Sequence, residues 1–200
     1  MAYSEFTSLK QVQKELGIIN KDISLFPLPT PTFAISQRLI DDMQYAKMMP
    51  LMSEKAKSEL VITPILKEVK LTKPEFNYFS GYTFDVDSKL FLTGVCDFLF
   101  THNNSKNNIA APVICLVEAK NRTVDEGFGQ CAAEMYAAKL YNEQEGEDIN
   151  VIYGCVTNAY DWCFMKLENN VVYVDIDRYY LNRVDEIVGI MLHILGQYEK

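Results

Sequence analysis

The chain has 200 residues, 48% apolar and 23% charged, the make-up of one globular domain with a sizeable core. Its five cysteines form no Cys-x-x-Cys pair and only His102 and His193 offer imidazole, so zinc binding and histidine-based nuclease chemistry are not expected. The net charge of −8 argues against tight non-specific polyanion binding, and no apolar run approaches a membrane span, so the expected location is the cytoplasm.

In chain order, residues 8–16 have helical spacing, with Leu9, Val12 and Leu16 on one side. Residues 26–31 carry three prolines and read as a connector. Ser36 is positioned to cap a helix through about Lys47, closed by Pro50. Residues 1–50 are therefore expected to form an N-terminal helical extension packed on a core of residues 51–200, the two making one globular unit. Ser53 caps the next helix, residues 54–69, whose stripe is Ile62, Ile65, Leu66 and Val69, with a kink expected at Pro64.

Strands are expected over residues 79–86, 92–100 and 113–120, with a polar, Asn-rich loop between the last two. Asp125 and Glu126 suit the start of a helix that runs to about Asn142, and Ala132, Ala133, Ala137 and Ala138 let it lie close on a sheet. Strands follow over 149–167 and 171–177, joined by the tight turn Asn169-Asn170. Trp162, Phe164, Tyr173, Tyr179 and Tyr180 could stack bases, but aromatics at strand spacing are first of all core. Val184, Ile187, Val188, Met191 and Leu195 stripe a last helix, which packs on the sheet or forms the seam of a homodimer.

The chemistry concentrates at two strands. From Val113 to Val117 five apolar residues run uninterrupted into Glu118-Ala119-Lys120, a strand buried on both faces. Strand alternation puts Glu118 and Lys120 on one face. Unpaired, either charge would cost several kcal/mol to bury, so they need each other, solvent or a metal ion. Alone, this is an exposed salt bridge at a strand end. Asp97 adds a carboxylate inside the apolar strand Leu92–Phe100, where Asp is disfavoured unless a bulge near Gly94 satisfies it. Two neighbouring strands that each place a carboxylate on one face make an oxygen-ligand site for a hard cation such as Mg²⁺.

Asp97 followed by Glu118-Ala119-Lys120 resembles the PD-(D/E)XK nuclease superfamily, in which an Asp and a (D/E)-x-K sit on neighbouring strands. Gly129-Gln130 on the following helix is similar to that family's glutamine, and Val156-Thr157-Asn158 with Trp162 and Phe164 is similar to its later hairpin. The resemblance covers about residues 53–178. Cys96 stands where the family pattern has Pro, and Glu134 where its helix motif has Tyr. The resemblance implies an α/β restriction-endonuclease-like sandwich with a central mixed sheet flanked by helices. It further implies Mg²⁺- or Mn²⁺-dependent phosphodiester hydrolysis of nucleic acid, with DNA as the expected partner. Asp97, Glu118 and the Ala119 carbonyl would bind the metal, Lys120 would orient water or offset phosphate charge, and Gln130 would hold a phosphate or water. A helix before the first strand often supplies another acid, and Glu59 is favoured over Glu54 for that role. Two alternatives are a catalytically silent nucleic-acid-binding relative and a protein-interaction module in which the three charges are structural.

A modest basic face is possible beside the site, because residues 47–73 hold six lysines against Glu54, Glu59 and Glu68. Residues 123–200 are the opposite, with fourteen acidic and five basic residues.

Overall fold

The structure is a computed structural model that describes residues 2–103 and 105–199. A 3₁₀ turn at Tyr3–Glu5 leads to α1 (Leu9–Leu16), capped by the Ser8 hydroxyl on the Gln11 amide and ended by Gly17 at φ 69°. β1 (Ile19–Ile23) comes next, then α2 (Gln37–Ala46), capped by the Ser36 hydroxyl on the Leu39 amide. α3 (Glu54–Lys57), capped by Ser53, continues through a π-turn at Ser58–Ile62 into α4 (Thr63–Thr72). Pro64 has no N–H and its ring crowds the carbonyl four residues back, that of Leu60. The wider π-turn accommodates both effects, where the sequence predicts a kink.

β2 (Asn77–Thr83), β3 (Val95–Thr101) and β4 (Val113–Ala119) follow. A 3₁₀ turn at Val124–Gly127 opens α5 (Phe128–Gln144), and then come β5 (Val151–Thr157), β6 (Asp161–Glu168), β7 (Val171–Asp175), β8 (Tyr179–Tyr180) and α6 (Val184–Gly196). Asn169 and Asn170 take φ of 50° and 60°, the left-handed pair that a two-residue turn between β6 and β7 requires.

The molecule is α/β, with a central mixed sheet of eight strands in the order β1-β7-β6-β5-β4-β3-β2 and β8 beside β6. β2, β3 and β4 are antiparallel neighbours, and α5 then carries the chain to β5, which pairs parallel to β4. All seven residues of β4 are buried, which is why its sequence is apolar without alternation. α5 and the N-terminal Tyr3, Phe6 and Val12 cover one sheet face, with Leu99, Leu116 and Val156. α2, α4 and α6 cover the other, over Phe98, Phe100, Trp162 and Phe164. Trp162, Phe164 and Tyr179 are thus core, and α6 packs on the sheet through Ile187, Val188 and Met191.

The N-terminal residues are more than the helical cover that the sequence predicts. β1 joins the sheet edge parallel to β7, Ile19 facing Val171 and Ile23 facing Asp175. The Tyr3 hydroxyl donates to the Phe84 carbonyl at 2.7 Å, and Gly129 of α5 approaches Phe6 so closely that a Cβ there would stand 2.4 Å from the Phe6 carbonyl oxygen. β1 escapes a pattern-based reading because every one of its side chains is exposed and only its backbone binds the sheet. No helix among the described residues is long and apolar enough to cross a membrane.

Candidate active site

β3 and β4 pair with Phe98 opposite Val117, so the next step of the antiparallel register sets Asp97 opposite Glu118. Opposed residues of a ladder project from the same sheet face. Leu116, two before Glu118, belongs to the core beneath α5, so the two carboxylates lie on the α5 side. Asp97 Oδ2 accepts from the Ala119 amide at 2.8 Å. A strand residue turns its N–H and C=O to the same edge, so the Ala119 carbonyl also faces β3 beside Asp97.

Lys120 lies at the mouth of this cluster, its side chain 18% exposed against 2% for Glu118. Its ammonium donates to Glu118 Oε1 at 2.5 Å and to Gln130 Oε1 at 3.0 Å. Gln130 Nε2 in turn donates to Glu134 Oε1 at 3.1 Å. Glu134 is fully buried, and its charge acts on the Glu118 carboxyl. Asp97, Glu118, Lys120 and Gln130 are therefore brought together, and a fourth ionisable group, Glu134, joins them through Gln130. Oε2 of Glu118 and Oε2 of Glu134 are both buried without a hydrogen-bond partner.

Electrostatics follow from this burial. Burial pushes the Glu134 carboxyl up to about 8, against the partial relief given by the Gln130 amide. Glu118 is held well above the ordinary carboxylate range by burial, then by Glu134 and Asp97, with Lys120 opposing. Asp97 is raised by burial and restrained by the Ala119 amide and Lys120. Burial acts to lower Lys120, but Glu118, Asp97 and Glu54 outweigh it and the ammonium is strengthened.

The structure does not bring Glu59 to this cluster. Its side chain is 63% exposed on the helix surface and faces Lys55 at 3.9 Å. Glu54 is the acid of that helix that feels the site: burial and then Asp97 raise its carboxyl, while Lys120 and Lys57 lower it. The preference for Glu59 rests on a regular helix, and the π-turn at Ser58–Ile62 changes the rotation that leads from Glu54 past Glu59.

The segment after β4 is held at three consecutive residues. The Lys120 amide donates to the Thr157 carbonyl at 2.8 Å, Lys57 Nζ donates to the Asn121 carbonyl at 2.5 Å, and Asn158 Nδ2 donates to the Arg122 carbonyl at 2.8 Å. Gly127 admits the Lys120 side chain: a Cβ there would stand 3.1 Å from Lys120 Cγ and 2.5 Å from Val156 Cγ1. Sequence reasoning missed Lys57 and Glu134 as members of this neighbourhood. A buried Lys in an exposed-looking helix has no local signal, whereas Glu134, one turn beyond Gln130, is on the same helix face.

Among the described residues, no group of three or more His, Cys, Asp and Glu side chains is assembled to hold a metal ion. The donor set of Asp97, Glu118 and the Ala119 carbonyl is nevertheless hard oxygen throughout, and the unpartnered Glu118 Oε2 is a buried acceptor without a donor. Mg²⁺ commonly takes one or two carboxylates and completes its shell with water and substrate oxygens, so these residues fit it. No protein-family model matches this chain, and a search of curated proteins finds no match to it.

Proposed function

We propose that the protein is a metal-dependent phosphodiesterase acting on nucleic acid, of restriction-endonuclease-like PD-(D/E)XK type. The observation that carries this reading is the gathering of Asp97, bonded to the Ala119 amide of β4, with Glu118 and the Lys120 ammonium that donates to it. The succession of antiparallel β2, β3 and β4, then α5 and parallel β5, supports the finer fold assignment.

Asp97, Glu118 and the Ala119 carbonyl would hold Mg²⁺ or Mn²⁺. Such an ion, when bound, polarises a phosphate and acidifies a coordinated water. Of the three N–H groups of Lys120, Glu118 and Gln130 engage two, and the third is available at the mouth to a phosphate oxygen or a water. That ammonium offsets the charge that grows on the phosphate as the bond to the leaving oxygen breaks. The Ala119 amide holds Asp97, and the three backbone ties from Lys120 to Arg122 fix where the ammonium emerges. The experiment is cleavage of single-stranded, double-stranded and branched DNA with Mg²⁺ or Mn²⁺ by the parent and by Asp97→Asn. Cleavage by the parent alone supports the reading; equal cleavage by both ends it.

The net charge of −8 favours a second reading, a catalytically silent protein of this fold that acts as a protein-interaction module. It is supported if the parent cleaves none of these substrates.

A further inference from the structure

We propose that Glu134 is the positioning residue of this site: by accepting from Gln130 Nε2 it turns the Gln130 amide so that its oxygen meets the Lys120 ammonium. The inference deepens the phosphodiesterase reading and rests on it only for the effect on turnover. A glutamine side chain ends in an acceptor and a donor of nearly the same shape, and nothing within the residue decides which end faces which neighbour. Lys120 has donors only, so it is held by Gln130 Oε1 and would be repelled by Nε2.

The deciding contact lies at the other end of the amide. Gln130 Nε2 stands 3.1 Å from Glu134 Oε1 while Gln130 Oε1 stands 3.0 Å from Lys120 Nζ. A carboxyl group retains an accepting oxygen whether or not it carries a proton, so this orientation holds in both states. Glu134 is also immobilised, since it is fully buried on α5 and held by Gln130. A buried carboxyl group is costly to keep, and one that merely filled space could be replaced by an apolar side chain of the same size. Here it fixes the second acceptor of the one cation in the cluster. With Gln130 turned the other way, Lys120 would keep only Glu118, and its ammonium would be free to swing toward solvent through the mouth.

The test uses ¹⁵N-lysine-labelled full-length protein and three variants. Glu134→Leu keeps the volume and removes the acceptor. Glu134→Gln keeps an acceptor for Gln130, and its amide nitrogen takes the place of the unpartnered Oε2. Gln130→Met removes the amide itself. The ammonium signal of Lys120 should be slowly exchanging and distinct in the parent and in Glu134→Gln. In Glu134→Leu and Gln130→Met it should collapse onto the signals of free lysines. A Lys120 signal that is unchanged in folded Glu134→Leu overturns the proposal, and so does its loss in folded Glu134→Gln. Should Glu134→Leu not fold, Gln130→Met and Glu134→Gln decide by the same signal: loss in the first with retention in the second supports the proposal, and any other pattern overturns it. On a substrate that the parent cleaves, Glu134→Leu should lower kcat about as much as Gln130→Met, leave KM unchanged, and be no worse in combination. Additive losses in the double variant overturn the proposal. Absence of cleavage by the parent removes the phosphodiesterase reading and leaves the lysine signal to decide the positioning role.

Discussion

Glu118 and Glu134 illustrate what a carboxyl group undergoes when a sheet and a helix close over it. Both are pushed upward chiefly by burial, Glu134 to about 8 from an ordinary value of 4.5. A group that holds its proton more tightly in the folded than in the unfolded protein makes stability fall as pH rises between the two values. The metal-free protein should therefore lose stability from about pH 4.5 to about pH 8, with a limiting slope of about 1.4 kcal/mol per pH unit for one such group. Urea unfolding at several pH values checks this, and Glu134→Gln should flatten the decline. Lys120→Ala acts at the same scale. It removes the partner of the buried Glu118 and should cost about 1–3 kcal/mol at pH 8. Because burial holds the Glu118 carboxyl above the ordinary range, the cost should shrink as pH falls, and on the proposed reading cleavage should fall by roughly two or more orders of magnitude.

Elements here are joined by a few specific contacts. α2 is tied to α4 by Ser36, which caps α2 while its amide and hydroxyl donate to Glu68 Oε1 and Oε2 at 2.7 and 2.8 Å, and by the Arg38–Glu68 ion pair. Ser36→Ala should cost about 1–2 kcal/mol, the usual range for losing an N-cap hydroxyl. α5 is clamped to the N-terminal segment at Gly129, where an added Cβ would meet the Phe6 backbone. Backbone cannot yield as a flexible side chain does, so Gly129→Ala should cost about 1–3 kcal/mol. Thermal melting of both variants measures these changes, and an unaltered melting temperature in Gly129→Ala would show that the N-terminal segment does not press on α5.

For the whole molecule, charge and metal binding are the deciding properties. A net charge of −8 works against phosphate binding, so on the proposed reading few phosphate contacts are expected. Binding of single-stranded DNA by Asp97→Asn should therefore show a salt slope shallower than about −3 in log K against log salt, at about −0.7 per phosphate neutralised. Fluorescence anisotropy across a salt series measures it. Mg²⁺ should stabilise the parent by an amount that grows with concentration, reaching about 2.7 kcal/mol at a hundredfold excess over Kd, and so raise its melting temperature. Asp97→Asn should abolish that shift, and a shift of the same size in the variant would show that the proposed ligands are not the ones that bind.

Local pattern by itself determined the class of the fold. The apolar run of β4, the caps Ser36 and Ser53, the Asn169-Asn170 turn and the small-residue face of α5 each act over a few residues, so each is legible without the rest of the chain. It also brought Asp97, Glu118 and Lys120 forward, because charges in apolar strands are conspicuous. Tertiary structure alone decided the remainder. β1 contributes only backbone to the sheet, so no side-chain pattern announces it. Which acid of that helix lies nearer the cluster turned on the π-turn at Ser58–Ile62, which shifts the helix face by an amount no regular periodicity contains. Sequence spacing puts Glu134 on the helix face of Gln130, but only the packing of α5 on β4 and β5 buries it. Sequence spacing carries contacts within one element, whereas a contact between elements depends on how they are rotated and stacked, which many weak interactions set together.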